Sequence, residues 1–348
     1  MDFKSYFIAI LISVFILNSC SVDAIDTSLD VKSDLPSVQK ERYVPSKYKT
    51  KNVIILVIDG PRYSETWGSP TRDLIPVLDR QLAPLGIVNS AFYNLGSTYT
   101  NPGHTAITTG NYQNIKNNGS ELPNFPSFFQ HWSHTYAQHQ ESTYVIASKD
   151  KLEILADTKA SEWNGKYAPA TDCGIAGLGT GYRDDAITYQ NTFDILSEKH
   201  PRLVLINLRA PDSFAHANDW DNYIRGISNS DKFLGDLWRF LQNDPFYAEN
   251  TTLFMTNDHG RHGNGNKNGF ISHGDGCSEC RHLNFFAIGP DFKRNEIITT
   301  ERSQIDIPAT VAELLQFDMP YGKGEVMFEL FAPPSETIPR TIAHSIAE

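Results

Sequence analysis

Three strand-like apolar runs, each leading into acidic or imidazole residues, constrain this chain more than any other feature. Val53 to Ile58 is unbroken and runs into Asp59-Gly60. Leu203 to Leu208 leads to Ala210-Pro211-Asp212, and Thr252 to Thr256 to Asn257-Asp258-His259. An uninterrupted aliphatic strand is buried on both faces, the condition of a strand inside a parallel sheet. Between the runs, Asp184 to Lys199 and Asp219 to Leu241 carry apolar residues at helical spacing, with Leu234, Leu237, Trp238 and Leu241 in the second. Tyr144 to Ala147 and Asn284 to Ile288 read as further strands, and Ile305 to Phe317 as a helix with Ile307, Val311, Leu314 and Leu315 inward. This alternation predicts an α/β fold, a mostly parallel central sheet with helices on both faces. In open sheets of this kind ligands sit outside the carboxyl ends of the strands. Asp59, Asp212, Asp258 and His259 are therefore placed for chemistry.

The start of the chain carries a different message. Met-Asp-Phe-Lys precedes an apolar run from Tyr6 to Leu17, then Leu17-Asn18-Ser19-Cys20. The run is shorter than the about 20 apolar residues of a membrane span, so residues 1–20 are read as a signal peptide. The Leu-x-Ser-Cys ending resembles a bacterial lipobox, which makes Cys20 the lipid anchor to a membrane; an uncleaved N-terminal anchor is the alternative. Either reading exports the chain, to the periplasm-facing or cell-surface side. Residues 21–51, polar and without period, read as a flexible tether, residues 52–331 as one catalytic domain, and residues 332–348 as a loose tail.

Lys and Arg number 30 against 41 Asp and Glu, a formal charge of −11. That balance argues against nucleic acid as a partner. It leaves an anionic substrate open, because bound metal ions set the local field. Of the remaining cysteines, Cys277-Ser278-Glu279-Cys280 reads as a short disulfide or half of a small metal site. The disulfide is preferred, since no second cysteine pair completes a four-thiolate zinc site. Cys173 is then an unpaired, buried thiol.

The chemistry-bearing residues are Asp59; Thr100-Asn101-Pro102-Gly103-His104; Asp212 with His216; Asp258-His259; and His273. Together, and in this order, they resemble the alkaline-phosphatase superfamily. Thr100-x-Pro-Gly-His is similar to the nucleophile segment of phosphate-irrepressible alkaline phosphatases and of nucleotide pyrophosphatase/phosphodiesterases. The resemblance implies Thr100 as nucleophile between two divalent ions, most readily Zn2+, with Mn2+ accepted by the same donors. It implies Asp212, His216 and His273 around one ion, and Asp59, Asp258, His259 and the Thr100 oxygen around the other. In-line displacement on phosphorus needs an activated attacking oxygen and a stabilised leaving oxygen, which a two-ion clamp supplies. Pro102 fits the first turn of a helix, so Thr100 is expected near a helix N-terminus, where backbone N–H groups favour an anion. His104 is expected to pack beneath that helix. His262 and Asp275 are expected behind a ligand imidazole.

Ser148-Lys149-Asp150-Lys151 resembles the paired basic element that monoesterases and phosphonoacetate hydrolases of the superfamily direct at substrate, against the alternative of a solvated charge cluster at a helix start. An extra cation favours a dianionic phosphoryl group over a diester. For the asparagine that holds a phosphoryl oxygen, Asn111, Asn114, Asn117 and Asn118 are candidates, and Asn118 is selected. The reading is thus a phosphate monoesterase acting on a small phosphorylated substrate. The alternatives are a nucleotide pyrophosphatase/phosphodiesterase or a phosphonate hydrolase, then a sulfatase or a non-catalytic lipoprotein. Sulfatases use a modified Cys or Ser as nucleophile, and no cysteine lies near Thr100.

Overall fold

The computed structural model describes residues 47–266 and 268–333. The signal peptide, Cys20, the tether up to residue 46 and the tail from residue 334 lie outside the described residues.

The strands in chain order are β1 (Asn52–Ile58), β2 (Ile87–Asn89), β3 (Phe92–Tyr93), β4 (Thr143–Ala147), β5 (Ala170–Cys173), β6 (Leu203–Leu208), β7 (Thr251–Asn257), β8 (His282–Leu283), β9 (Phe285–Ile288), β10 (Glu296–Ile298) and β11 (Arg302–Ser303). The α-helices are α1 (Thr100–Thr109), α2 (Phe128–Tyr136), α3 (Asp185–Lys199), α4 (Ala210–His216), α5 (Trp220–Asn243), α6 (Ser278–Arg281) and α7 (Asp306–Leu315). Eight strands form one sheet in the order β10-β2-β9-β7-β1-β6-β4-β5, and β11-β3-β8 form a small second sheet. From β7 across to β5 every neighbouring pair is parallel; β9 runs antiparallel to both β7 and β2. The expected mostly parallel α/β architecture is the one found.

Side chains alternate across a strand, so β1 feeds two cores. Val53, Ile55 and Val57 pack with Ile107 of α1, Phe128, Phe129 and Trp132 of α2, and Ile307, Val311 and Leu314 of α7. Ile54, Leu56 and Ile58 pack on the other face with Leu196 of α3 and with Tyr223, Ile227, Leu234, Leu237 and Leu241 of α5. The helices thus cover both faces, which is why β1 is aliphatic at every position from Val53 to Ile58.

Two expectations change. The predicted Asn284–Ile288 strand starts at Phe285, because Asn284 binds the end of β7: its backbone N–H and Nδ2 donate to Asn257 Oδ1 at 3.0 and 2.7 Å. The tether's last residues belong to the domain. Lys47 pairs with Glu313 at 2.8 Å, and Thr50 Oγ1 donates to Asp291 Oδ2 at 2.6 Å. Among the described residues no helix is long and apolar enough to cross a membrane.

Candidate active site

The sheet register assembles the site. Ile58 lies beside both Leu208 and Asn257, so the residues that follow these three strand ends converge. Asp59 and Asp258 are fully buried, and Asp212 nearly so. The Asp212 N–H donates to the Asp59 carbonyl at 3.1 Å, tying the start of α4 to the end of β1. Gly60 then takes a left-handed backbone, φ +68°, and a Cβ there would meet Arg261 Nη1, Asp212 Oδ1 and His259 Cε1 at 3.0 to 3.1 Å. Only glycine fits that centre. Thr100 is the first residue of α1, 1 % exposed, after an extended Tyr99 cap. The helix comes close to the β7 end through Gly103, whose added Cβ would lie 2.4 Å from the Asp258 carbonyl oxygen.

Two donor groups form around this centre. In the first, His259 Nε2 stands 3.5 Å from Asp59 Oδ1 and 3.4 Å from Asp258 Oδ2. All three atoms are buried without a hydrogen-bond partner. In the second, Asp212 Oδ1 stands 3.2 Å from His216 Nε2 and 3.4 Å from His273 Nε2, and the two imidazole nitrogens are 3.0 Å apart. The His259 and His273 rings stack at 3.8 Å and join the groups. His259 Nδ1 faces the Gly260 carbonyl at 2.9 Å and His273 Nδ1 the Thr98 carbonyl at 2.8 Å. A carbonyl accepts only, so both Nδ1 atoms carry the proton and both Nε2 atoms present a lone pair inward. Burial lowers both imidazole pKa values and keeps these rings neutral. Orphaned carboxylate oxygens and imidazole lone pairs aimed at one another fit a divalent cation. The cluster contains two such sets, Asp59-Asp212-His259 and Asp212-His216-His273.

Two side-chain cations share the site. Lys149 Nζ, buried after β4, lies 2.8 Å from Asp59 Oδ2 and 2.6 Å from Asp212 Oδ2, and donates to Thr100 Oγ1 at 3.3 Å. Burial alone would lower its pKa, but the carboxylates of Asp212, Asp59 and Asp258 outweigh that and raise it, so it stays charged. Lys149 is therefore an internal ion-pair partner of the site, against the solvated-cluster alternative. The fully buried Arg261 pairs with Asp212 Oδ1, and its Nη2 lies 3.4 Å from His216 Nδ1. Against three carboxylates these two cations leave an excess of negative charge. Burial first, then the Asp258 charge, push the Asp59 carboxyl well above the usual range.

Lys151 lies next to this group, its Nζ donating to the Asn117 carbonyl at 3.1 Å and to Asn117 Oδ1 at 3.2 Å. Burial, then Lys149, pull its pKa down to about 8. Asn117 Oδ1 also accepts from Asn101 N–H beside the nucleophile at 2.9 Å. Asn118 is instead exposed in a turn, accepting from the Ser120 hydroxyl at 2.7 Å; of the four candidate asparagines, Asn117 is the one that contacts Lys151. His104 packs under α1 as expected, and its Nδ1 also lies 3.4 Å from Asp258 Oδ2.

Sequence reasoning missed Arg261, although it directly follows Asp258-His259-Gly260. It also missed Asp185, whose carboxylate accepts from Ser148 Oγ and from the Arg209 and Ala210 N–H groups, coupling the lysine loop to α4. The expected Cys277–Cys280 disulfide is not formed: both are free thiols, as is buried Cys173. His262 and Asp275, expected behind a ligand imidazole, pair with each other at 3.1 Å. A cavity of about 340 Å³ opens between α3, α4 and α5, and none of the expected site residues lines it.

A parallel-centred sheet carrying these donor groups at its strand ends, with a helix-start threonine against the lysine that bridges two of their carboxylates, defines a hydrolase of the alkaline-phosphatase-like class. The sulfatase family model matches residues 51–317, and the chain belongs to that family, within the alkaline-phosphatase-like superfamily. No protein of curated function matches it in sequence. Among solved structures, it is similar to the phosphonate monoester hydrolase of Silicibacter pomeroyi, with TM-score 0.59 and 13 % identity over 82 % of this chain and 78 % of that one. A protein of the alkaline phosphatase superfamily from Vibrio parahaemolyticus gives TM-score 0.59 and 17 % identity, over 83 % and 72 %. An inactive threonine-to-alanine form of murine ectonucleotide pyrophosphatase/phosphodiesterase 5, in complex with AMP, gives 0.58 and 15 %, over 81 % and 100 %.

Proposed function

We infer that this chain is an exported phosphoester hydrolase, lipid-anchored through Cys20, that works through a threonine phosphoryl intermediate with a phosphate monoester as substrate. One observation carries the reading: Thr100 Oγ1 is held at the buried start of α1, within 3.3 Å of the Lys149 ammonium that bridges Asp59 and Asp212. Asp59, Asp258, His259 and the Thr100 hydroxyl would hold one divalent ion, and Asp212, His216 and His273 the other, Zn2+ suiting these donors best. Such ions supply Lewis-acid stabilisation to the attacking and leaving oxygens.

The chain's own residues account for the rest. Thr100 loses its proton to water and its oxygen attacks phosphorus, while the bond from phosphorus to the ester oxygen breaks and the leaving group takes up a proton. The positive end of the α1 dipole, at Thr100, favours the charge that grows on the phosphoryl oxygens, while the Asn101 N–H is held by Asn117 Oδ1 and the Gly103 N–H by the Tyr99 carbonyl. Lys149 and Lys151 add positive charge that a dianion uses more fully than a monoanionic diester. Water then attacks the phosphothreonine, releasing phosphate and restoring the hydroxyl.

Membership of the sulfatase family supports a second reading, a sulfate ester hydrolase. Thr100 stands against it, because the modified nucleophile of sulfatases is built from Cys or Ser. The deciding experiment is a turnover screen of the metal-loaded protein on aryl phosphate, aryl phosphodiester, aryl sulfate and phosphonoacetate. Fastest turnover of aryl phosphate is expected. Faster aryl sulfate turnover would replace the phosphatase reading, and a preference for diester or phosphonoacetate would move it to the corresponding hydrolase.

A further inference from the structure

Away from the active-site centre, the glycine-rich segment after β7 brings together four side chains that the hydrolytic reading does not use. One donor atom each from His262, Asp275, Cys277 and Cys280 lies within 4.8 Å of the others. His262 Nε2 is 3.1 Å from Asp275 Oδ1, and the Asp275 carboxylate is in hydrogen-bond reach of both thiols. His262 and Cys280 are buried, Cys277 is half-buried and Asp275 is exposed, so the cluster sits just under the surface. We propose that these four residues form a third, structural zinc site.

The donor chemistry selects the metal. Two thiolates with one imidazole and one carboxylate form a soft, four-coordinate set, which favours zinc over the harder ions that carboxylates alone would take. With metal–ligand bonds of about 2.0–2.3 Å, ligand atoms in a tetrahedral site stand roughly 3.3–3.8 Å apart. The present cluster needs only to close slightly. Four protein ligands leave no open position, which marks the site as structural.

Its position gives it a task. His262 follows the active-site His259 in the sequence His259-Gly260-Arg261-His262, and Asp275 follows the active-site His273 in His273-Gly274-Asp275. The backbone already gathers the same segment: Gly260 N–H donates to the Cys280 carbonyl at 2.8 Å, His262 N–H to the Ser272 carbonyl at 3.0 Å, and Gly276 N–H to Thr98 Oγ1 at 3.2 Å. An ion joining His262 to Asp275, Cys277 and Cys280 fixes both imidazole-bearing stretches to the short helix α6.

Cobalt spectroscopy on the full chain tests this, because neither active-site donor group contains sulfur. Cobalt-loaded wild-type protein should show thiolate-to-cobalt charge-transfer absorption. The band should persist in Asp258→Asn and Cys173→Ser and vanish in Cys277→Ser/Cys280→Ser, and that double variant should carry one zinc fewer per chain by elemental analysis. Absence of the band from folded, cobalt-loaded wild type would overturn the site whatever the variants do. So would peptide mapping that finds a Cys277–Cys280 disulfide in protein with its full metal content.

Discussion

Thr100 is a poor nucleophile by itself, and its value at this site comes from where its oxygen is held: at a helix start, buried, and against a charged Lys149. Thr100→Ala should abolish turnover of the preferred ester while leaving the fold and bound metal largely intact, because it removes the hydroxyl proposed to take the phosphoryl group. Thr100→Ser should keep part of the rate. Near wild-type activity in the alanine form would show that the attacking oxygen is a different one. In the proposed function Lys149 and Lys151 set the substrate class. Replacing both by Ala should cut monoester kcat/KM by roughly ten- to a thousandfold, with diester turnover much less affected. Lys149 also neutralises Asp59 and Asp212, so equal losses on the two esters would mean that its charge serves the fold rather than the dianion. The acidic ends of the three strands could be read from the sequence because they follow aliphatic runs. The bridging position of Lys149 could not, since it depends on β4 lying beside β6, and neither could the contact of Asn117 with Lys151, which turns on a single loop residue.

Elements were legible in proportion to their length and periodicity. β6 matches the aliphatic run residue for residue, and α3 and α5 begin at the aspartates Asp184 and Asp219, whose side chains cap their N-termini. The two-residue strands β3, β8 and β11 are too short to carry a period, and β5, Ala-Thr-Asp-Cys, has too little hydrophobicity to announce itself. Helix α2 carries a separate consequence. Its His131 packs against Trp163 and Tyr321, and burial, with His134 adding, pulls its pKa down to about 4. The folded state then binds this proton less readily than the unfolded chain, whose histidine titrates near 6.5. Stability from this residue is fully present above about pH 6.5 and is lost as pH falls through 4. In thermal melts from pH 7.5 to 4.5, His131→Phe should lose less Tm than wild type; parallel curves would show that His131 is not the group responsible.

At the scale of the whole molecule, the buried centre joins the ends of β1 and β7 to α4 and to the segment carrying His273, so ion binding there acts on the fold as well as on catalysis. Three buried carboxylates against Lys149 and Arg261 leave uncompensated negative charge, and three buried atoms, Asp59 Oδ1, Asp258 Oδ2 and His259 Nε2, lack partners. Leaving such atoms without partners destabilises a folded core, and a ligand that binds only the folded state reverses it by mass action. At a free ion concentration 100 times Kd the gain is about 2.7 kcal/mol per site. For a domain of this size that corresponds to a rise of roughly 4–5 °C in Tm. Metal-loaded wild type should therefore melt higher than chelator-treated protein, and chelation should abolish turnover. Elemental analysis should find about two ions that depend on the active-site donors. Asp258→Asn and His216→Ala should each lower that occupancy and the rate, and should narrow the chelator-induced Tm difference, which the cysteine cluster alone would leave unchanged. A metal-free protein that still turns over substrate, or melting curves that coincide with and without chelator, would remove the ions from both the mechanism and the stability of this fold.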